Sequence, residues 1–434
     1  MRSARLVFAL CVSVTYLVKI TSLPFNYGDR KLANDRSQKR GREKKLAQLF
    51  GDSFDIDVPD FIQLVSKHGY PAEEHLVITV DGYKLKIHRM PGSPTQPKAP
   101  GKPIIYFQHG LLASSDSWVL YGPDRDLTFM MADAGFDVWV GNIRGNTYSR
   151  SHVVYRPDYD PKFWDYSWHE MGIYDIPSVI DYILDRTGEQ SLAYVGHSMG
   201  TTMSYVMLSM KPEYNDKIWL AISLAPIAFW TAPPTPMIKL LRSQGQSLRT
   251  LLYAFGVHEL LPRTKEVMQL LYTMCGDKSP IQPLCLDVMW LSFGYNPEQL
   301  NMDLIPTLLS IFPAGTSRRT VEHYLQNVAA GDFRMFDYGR QQNMERYGQT
   351  EPPSYNLKNI RTSVALYYGA NDAFAPAKNP LKLAEHLPNV AVVKCIDNDF
   401  FNHMDFIIAE DIKSRLNDPI LDMVVKSLEL RNTD

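Results

Sequence analysis

The chain has 434 residues, of which 45% are hydrophobic, and a formal net charge of −2. That length holds a sizeable core with room for an insertion, and the near-neutral charge gives nucleic acid no electrostatic footing. Four cysteines are too few for a disulfide scaffold, and the chain has no metal-ligand spacing, glycine-rich phosphate loop, internal repeat or low-complexity tract.

Arg2 and Arg5 precede the apolar run Leu6–Val18, thirteen residues that suit the core of a signal peptide and are too short to span a bilayer. Residues 1–22 are therefore expected to be a signal peptide, with a short membrane anchor as the rival reading, and Cys11 leaves with it. Residues 23–55 carry Lys39-Arg40-Gly-Arg-Glu-Lys-Lys45 and read as a basic flexible linker or a cleaved pro-segment. No later stretch offers 18 uninterrupted apolar residues, so no transmembrane segment is expected.

From about residue 56, strand and helix signals alternate. Strands are expected at 75–80 and 83–90, a hairpin joined by Asp81-Gly82, then at 103–108, 136–141, 191–195, 217–224, 363–368 and 390–396. This pattern predicts an α/β fold with a mostly parallel eight-stranded sheet and helices on both faces. The alternation stops after Pro226. Residues 226–355, with Pro233-Pro234 and apolar helical stretches at Leu251–Leu261 and Val267–Met274, read as an inserted helical cap that divides the core into 56–225 and 356–430.

The run Ser191-Leu-Ala-Tyr-Val-Gly196-His197-Ser198-Met199-Gly200 has the form of a short buried strand turning through G-x-S-x-G, with Met203, Val206, Met207 and Met210 repeating at helical spacing after it. Such a turn lifts a serine hydroxyl clear of a sheet, and its glycines admit neighbouring backbone, which makes Ser198 the expected nucleophile. In this arrangement an acid and then a histidine follow the serine. Only His386 and His403 lie well downstream, and His386 falls within a helical pattern. His403 follows an expected strand through the turn-like Asp397-Asn398-Asp399 and is the expected base. Asp372, directly after Val364–Tyr368 in a turn, is the expected acid, ahead of Asp397 and Asp399, whose segment already delivers His403.

A tetrahedral intermediate also needs backbone donors. The strand and turn Lys102–Leu112 supply one and the residue after the nucleophile the other, which assigns the main-chain N–H groups of Leu111 and Met199. His109 precedes the serine and is expected to hold that turn. Cys275 and Cys285 enclose a turn-rich segment in a chain routed to an oxidising compartment and are expected to form a disulfide. Cys395, in an expected core strand, reads as a buried free thiol.

The stretches His109-Gly-Leu-Leu, Gly141-Asn-Ile-Arg-Gly-Asn-Thr-Tyr-Ser-Arg150, Phe163-Trp164 with Ser167 to Met171, Tyr174-Asp175-Ile-Pro177, Gly196-His-Ser-Met-Gly-Thr-Thr202, Pro313-Ala-Gly-Thr-Ser317 and Asn402-His-Met-Asp-Phe406 resemble the acid lipase family, which includes gastric and lysosomal lipases. The resemblance spans most of the chain from about residue 58. It implies an α/β-hydrolase fold and a cofactor-free serine hydrolase acting on triglycerides or sterol esters at an emulsion, membrane or micelle surface. It also puts Ser198, Asp372 and His403 at the family's triad positions. Two departures stand out. Met199 occupies the position where gastric and lysosomal members carry Gln, and no Asn-x-Ser/Thr acceptor occurs in the chain. A secreted location is expected, with the lysosome lumen as the alternative. The other functional readings are an esterase for small soluble esters and, from a different class, a catalytically silent lipid carrier.

Overall fold

Strand β1 (Glu73–Ile78) folds back as β2 (Lys84–Met90), and β3 (Ile104–Gln108), β4 (Asp137–Val140), β5 (Leu192–His197) and β6 (Ile218–Leu224) follow. Two short strands, β7 (Glu259–Leu260) and β8 (Thr316–Ser317), pair only with each other, and β9 (Ser363–Tyr368) and β10 (Val390–Cys395) complete the set. These positions come from a computed structural model that describes residues 58–231, 235–277 and 279–431. The expected signal peptide and basic segment lie outside the described residues.

Eight strands form one sheet in the order β1-β2-β4-β3-β5-β6-β9-β10. The β1–β2 and β2–β4 pairings are antiparallel and the rest parallel. Every residue of β3, β4 and β5 is buried. Their sequences run apolar without alternation because both faces are covered, as parallel sheets require.

The longer helices are α1 (Phe61–Ser66), α2 (Leu127–Asp133), α3 (Ile176–Thr187) and α4 (Met199–Met210) before β6, with α11 (Lys378–His386) and α12 (Asp418–Arg431) in the last part. Between β6 and β9 come α5 (Pro236–Ala254), α6 (Lys265–Cys275), α7 (Gln282–Phe293), α8 (Ile305–Ile311), α9 (Arg318–Ala330) and α10 (Arg340–Tyr347). Alternation along the strands divides the core in two. Ile105, Phe107, Val138 and Val195 pack with α1, α2 and α12 residues such as Phe61, Phe129 and Ile420. Ile104, Tyr106, Trp139 and Tyr194 pack with Ile180 of α3 and Met203 of α4 on the opposite face.

Two expectations need correction. The helix expected over Leu251–Leu261 is the end of α5, which starts much earlier, at a Thr235 cap followed by Pro236, and stops at Ala254. Gly256 and Leu261 then adopt positive φ (61° and 48°) and turn the chain into and out of β7. Cys395 is exposed rather than buried. Its strand is apolar but lies at the sheet's edge, paired with β9 alone, and four of its six residues face solvent.

The segment between β6 and β9 is fastened to the rest of the fold by two ion pairs and a ring stack. Arg263 reaches the fully buried Asp116 at 2.9 Å, Arg150 holds Glu259 at 2.9 and 2.8 Å, and His323 stacks on Trp168 with ring centroids 3.5 Å apart. A disulfide links Cys275, at the end of α6, to Cys285 in α7.

Candidate active site

β5 ends at His197 and α4 begins at Met199, so Ser198 alone makes the turn. Its φ of 53° and ψ of −116° put a non-glycine residue in a sparsely populated region that costs on the order of 1–3 kcal/mol. The surroundings enforce it. A Cβ on Gly200 would sit 2.4 Å from the Gln108 carbonyl oxygen, and one on Gly196 would sit 2.8 Å from the Gly200 carbonyl carbon. Both glycines are therefore dictated by the close approach of β3, β5 and α4.

Asp372 sits on the loop after β9 and His403 on the loop after β10, at the same edge of the sheet as the β5 turn. The Ser198 Oγ–H donates to His403 Nε2 at 2.8 Å, and His403 Nδ1–H donates to Asp372 Oδ2 at 2.8 Å. The other carboxylate oxygen, Asp372 Oδ1, accepts from the backbone N–H of Phe374 at 2.8 Å and of Ala375 at 2.7 Å. Both carboxylate oxygens are thus engaged at a buried position, which fixes the orientation of the Asp372 side chain. The alternatives stand apart: Asp397 and Asp399 are exposed, and His386 is exposed on α11 with Nδ1 bonded to the Lys382 carbonyl at 2.8 Å.

The other two histidines near the turn are buried and neutral. His109 donates from Nδ1 to the Gly110 carbonyl at 2.8 Å and accepts at Nε2 from Asn146 at 3.2 Å. Burial holds its pKa down to about 4. His197 donates to the His403 carbonyl at 3.1 Å, and burial together with the neighbouring His403 lowers its pKa to about 3. The backbone of Gly110 lies against Ser198, since a Cβ there would be 3.0 Å from the serine Cβ. Beside it, the N–H groups of Leu111 and Met199 bond to no acceptor among the described residues.

Sequence reasoning noted Gly141–Arg150 and Tyr174–Pro177 without a role for either. They meet in the core: the Arg144 backbone N–H and Nε bond Asp175 at 3.0 and 2.8 Å, and its Nη atoms bond Asp81 at 2.6 and 2.9 Å. Arg144 is fully buried, and the carboxylates raise its pKa against the pull of desolvation. This clasp fixes the loop that carries Asn146 and, through it, His109. A lone arginine in a loop carries no local signal of such a role.

Above Ser198 lies a cavity of about 390 Å³. Leu111, Leu112, Leu120 and Ile407 line it from the sheet side, and Ile227, Trp230, Ile238, Phe293, Leu308, Phe312, Tyr324, Leu325 and Val328 from the segment between β6 and β9. Its size falls in the usual range for ligand pockets. Among the described residues no His, Cys, Asp and Glu group is arranged to hold a metal ion, and no helix is long and apolar enough to cross a membrane.

Comparison with known proteins sets this geometry in a lineage. Residues 61–122 match the model of a partial α/β-hydrolase lipase region, and residues 103–274 match that of the α/β-hydrolase fold. The chain is 40% identical over 364 residues to Lipase 3 of Drosophila melanogaster, covering 84% of this chain and 92% of that one. It belongs to the acid lipase family. Human gastric triacylglycerol lipase is 36% identical over 365 residues, covering 83% of this chain and 90% of its own. A solved structure from Sulfolobus solfataricus superposes with a TM-score of 0.51 at 14% identity, covering 82% of this chain and 99% of that one, a likeness of fold alone. In this acid lipase the Met199 side chain is completely buried in the core that also holds Met203 and Tyr194.

Proposed function

We propose that the protein is a secreted lipase that hydrolyses carboxylic esters of neutral lipids through an acyl-enzyme on Ser198. Ser198 Oγ attacks the ester carbonyl while His403 Nε2 takes its proton, and the oxyanion is received by the N–H groups of Leu111 and Met199. His403 returns the proton to the departing alcohol, then activates water to release the fatty acid. Asp372 holds the imidazole in the required tautomer and stabilises its cation. The observation that carries this reading is the continuous Ser198–His403–Asp372 relay, 2.8 Å at both steps, facing an apolar cavity.

The cavity argues for long acyl chains. In this reading residues 226–355 form a cap over a core of 56–225 and 356–430, and cap side chains supply much of the apolar wall. Each buried methylene contributes about 0.8 kcal/mol, so six beyond butyrate add roughly 5 kcal/mol, part of which positions the ester in the transition state. The lining is mostly apolar, with Ser114, Ser117 and Tyr324 as its hydroxyl-bearing members besides Ser198. The apolar run Leu6–Val18 and the Cys275–Cys285 disulfide support secretion.

Rates on emulsified glycerides, sterol esters and soluble acetates test the substrate class. kcat/KM is expected to rise with acyl length well beyond butyrate, and equal efficiency on acetates would replace lipase by esterase. Ser198→Ala is expected to fold normally and to lose about six orders of magnitude in kcat, as triad serines do elsewhere. A serine-reactive phosphonate is expected to label the Ser198 peptide alone.

A further inference from the structure

The segment between β6 and β9 also reaches beneath the reacting groups. Four consecutive residues at the end of α7 bond both loops that carry Asp372 and His403. The Phe293 carbonyl accepts from the N–H of Ala373 at 3.2 Å and of His403 at 3.1 Å. The Gly294 carbonyl accepts from Asn402 Nδ2 at 3.0 Å, and the Tyr295 carbonyl from Asn371 Nδ2 at 2.8 Å. Asn296 Nδ2 donates to Asp405 Oδ2 at 2.7 Å. The partners lie at and beside the acid and the base in sequence, so this strap spans the gap between the two loops. Gly294 is wedged into that gap at φ 113°, where a Cβ would meet the Asn371 carbonyl oxygen at 2.1 Å.

Asp405 closes the histidine turn on itself. Its Oδ2 also accepts from the Asn402 N–H at 2.8 Å, while Asn402 Oδ1 accepts from the N–H of Met404 at 2.8 Å and of Asp405 at 3.1 Å. Asn296 and Asp405 are 3% and 2% exposed, so water does not substitute freely for their bond. The other three strap residues make their bonds through backbone carbonyls. Asn296 alone acts through its side chain.

We propose that Asn296 is a positioning residue for hydrolysis: by holding Asp405 it fixes the turn that aims His403, and the strap Phe293–Asn296 thereby sets the spacing of acid and base. This rests on the triad reading above. The same strap joins the reacting pair to the acyl wall, because the Phe293 side chain lines the cavity and its ring lies 9° from parallel to that of His403, with centroids 6.2 Å apart.

The test compares Asn296→Ala, Asn296→Asp, Asp405→Asn and the exchange pair Asn296→Asp with Asp405→Asn, using kcat and KM on a long-chain glyceride, the rate of phosphonate inactivation and thermal unfolding. A displacement of about 1 Å at a reacting group costs up to about 100-fold, so Asn296→Ala is expected to lower kcat about 10- to 100-fold with KM within about threefold. Phosphonate inactivation is expected to slow by the same factor. Asn296→Asp sets two carboxylates face to face and is expected to be worse. The exchange pair restores one donor and one acceptor between positions 296 and 405 but turns an NH2 toward the Asn402 N–H, which the same Oδ2 accepts in the native protein, so it is expected to recover in part, above Asn296→Asp and below wild type. Wild-type kcat in a folded Asn296→Ala, a loss confined to KM, or an exchange pair no better than Asn296→Asp would each overturn the proposal. If Asn296→Ala fails to fold, the comparison of Asn296→Asp with the exchange pair decides. Ser198→Ala, run alongside, separates the two levels: turnover there defeats the triad reading, whereas a dead Ser198→Ala beside a wild-type Asn296→Ala defeats only the strap.

Discussion

Replacing Asp372 by Asn keeps the shape of the site and changes its hydrogen-bonding code. The carboxylate accepts at both ends, from the N–H groups of Phe374 and Ala375 at Oδ1 and from His403 at Oδ2. An asparagine has one accepting end and one donating end. Turning its NH2 toward the two backbone donors leaves both N–H groups buried without an acceptor, at about 1–3 kcal/mol each. The amide oxygen therefore stays with the backbone and the NH2 faces His403. The imidazole must then accept at Nδ1 and carry its proton on Nε2, facing Ser198, where a base is required. In a serine protease the equivalent change lowers kcat about 10⁴-fold, close to 5.5 kcal/mol at 1.36 kcal/mol per tenfold. Steady-state assays on an emulsified glyceride are expected to show that loss in kcat, with thermal unfolding little changed and phosphonate labelling of Ser198 slowed in parallel. A folded Asp372→Asn enzyme within tenfold of wild-type kcat would refute the tautomer argument.

Gly200→Ala places a methyl 2.4 Å from the Gln108 carbonyl oxygen, so α4 must retreat from β3, and a loss of about 1–3 kcal/mol in denaturant unfolding is expected together with activity. His197 is neutral in the fold, with its pKa lowered to about 3, but protonates near 6.5 once unfolded. Its contribution is thus present above about pH 6.5 and drains away as pH falls toward 3, at up to about 1.4 kcal/mol per unit. His197→Asn is expected to show a shallower acid-side decline in unfolding free energy, and identical slopes would remove His197 from the account. Cys395 is expected to alkylate in the native protein at one equivalent per chain. Reduction of Cys275–Cys285, ten residues apart, is expected to cost about 3 kcal/mol in denaturant titration, and free thiols at both positions in secreted protein would contradict the pairing.

The sheet was legible because its central strands are short apolar runs bounded by turn residues, and the order of serine, acid and histidine narrowed eleven histidines to two candidates. An apolar run does not say whether its strand is central or at an edge, and Cys395 was misread for that reason. The span Leu251–Leu261 was read as one helix because apolar spacing outweighed Gly256, whose positive φ ends the helical path. The Arg144 clasp and the Asn296–Asp405 bond stayed hidden for a different reason. Each joins residues far apart in the chain, and local pattern carries no information about which distant polar groups the fold will bring together.

β6 and β9 are neighbours in the sheet, with Leu220 opposite Ser363, so residues 225–362 leave one strand and return to the next. To the sheet this whole excursion is a single crossover, and closing a longer loop costs only about 0.6 kcal/mol for each doubling of its length. A lineage can therefore rebuild the crossover to suit a new fatty chain while the strand ends beneath it stay in register. The freedom has one local limit. A transplanted crossover would have to bring its own Phe293–Asn296, because those four residues belong to the insertion by sequence and to the chemistry by contact.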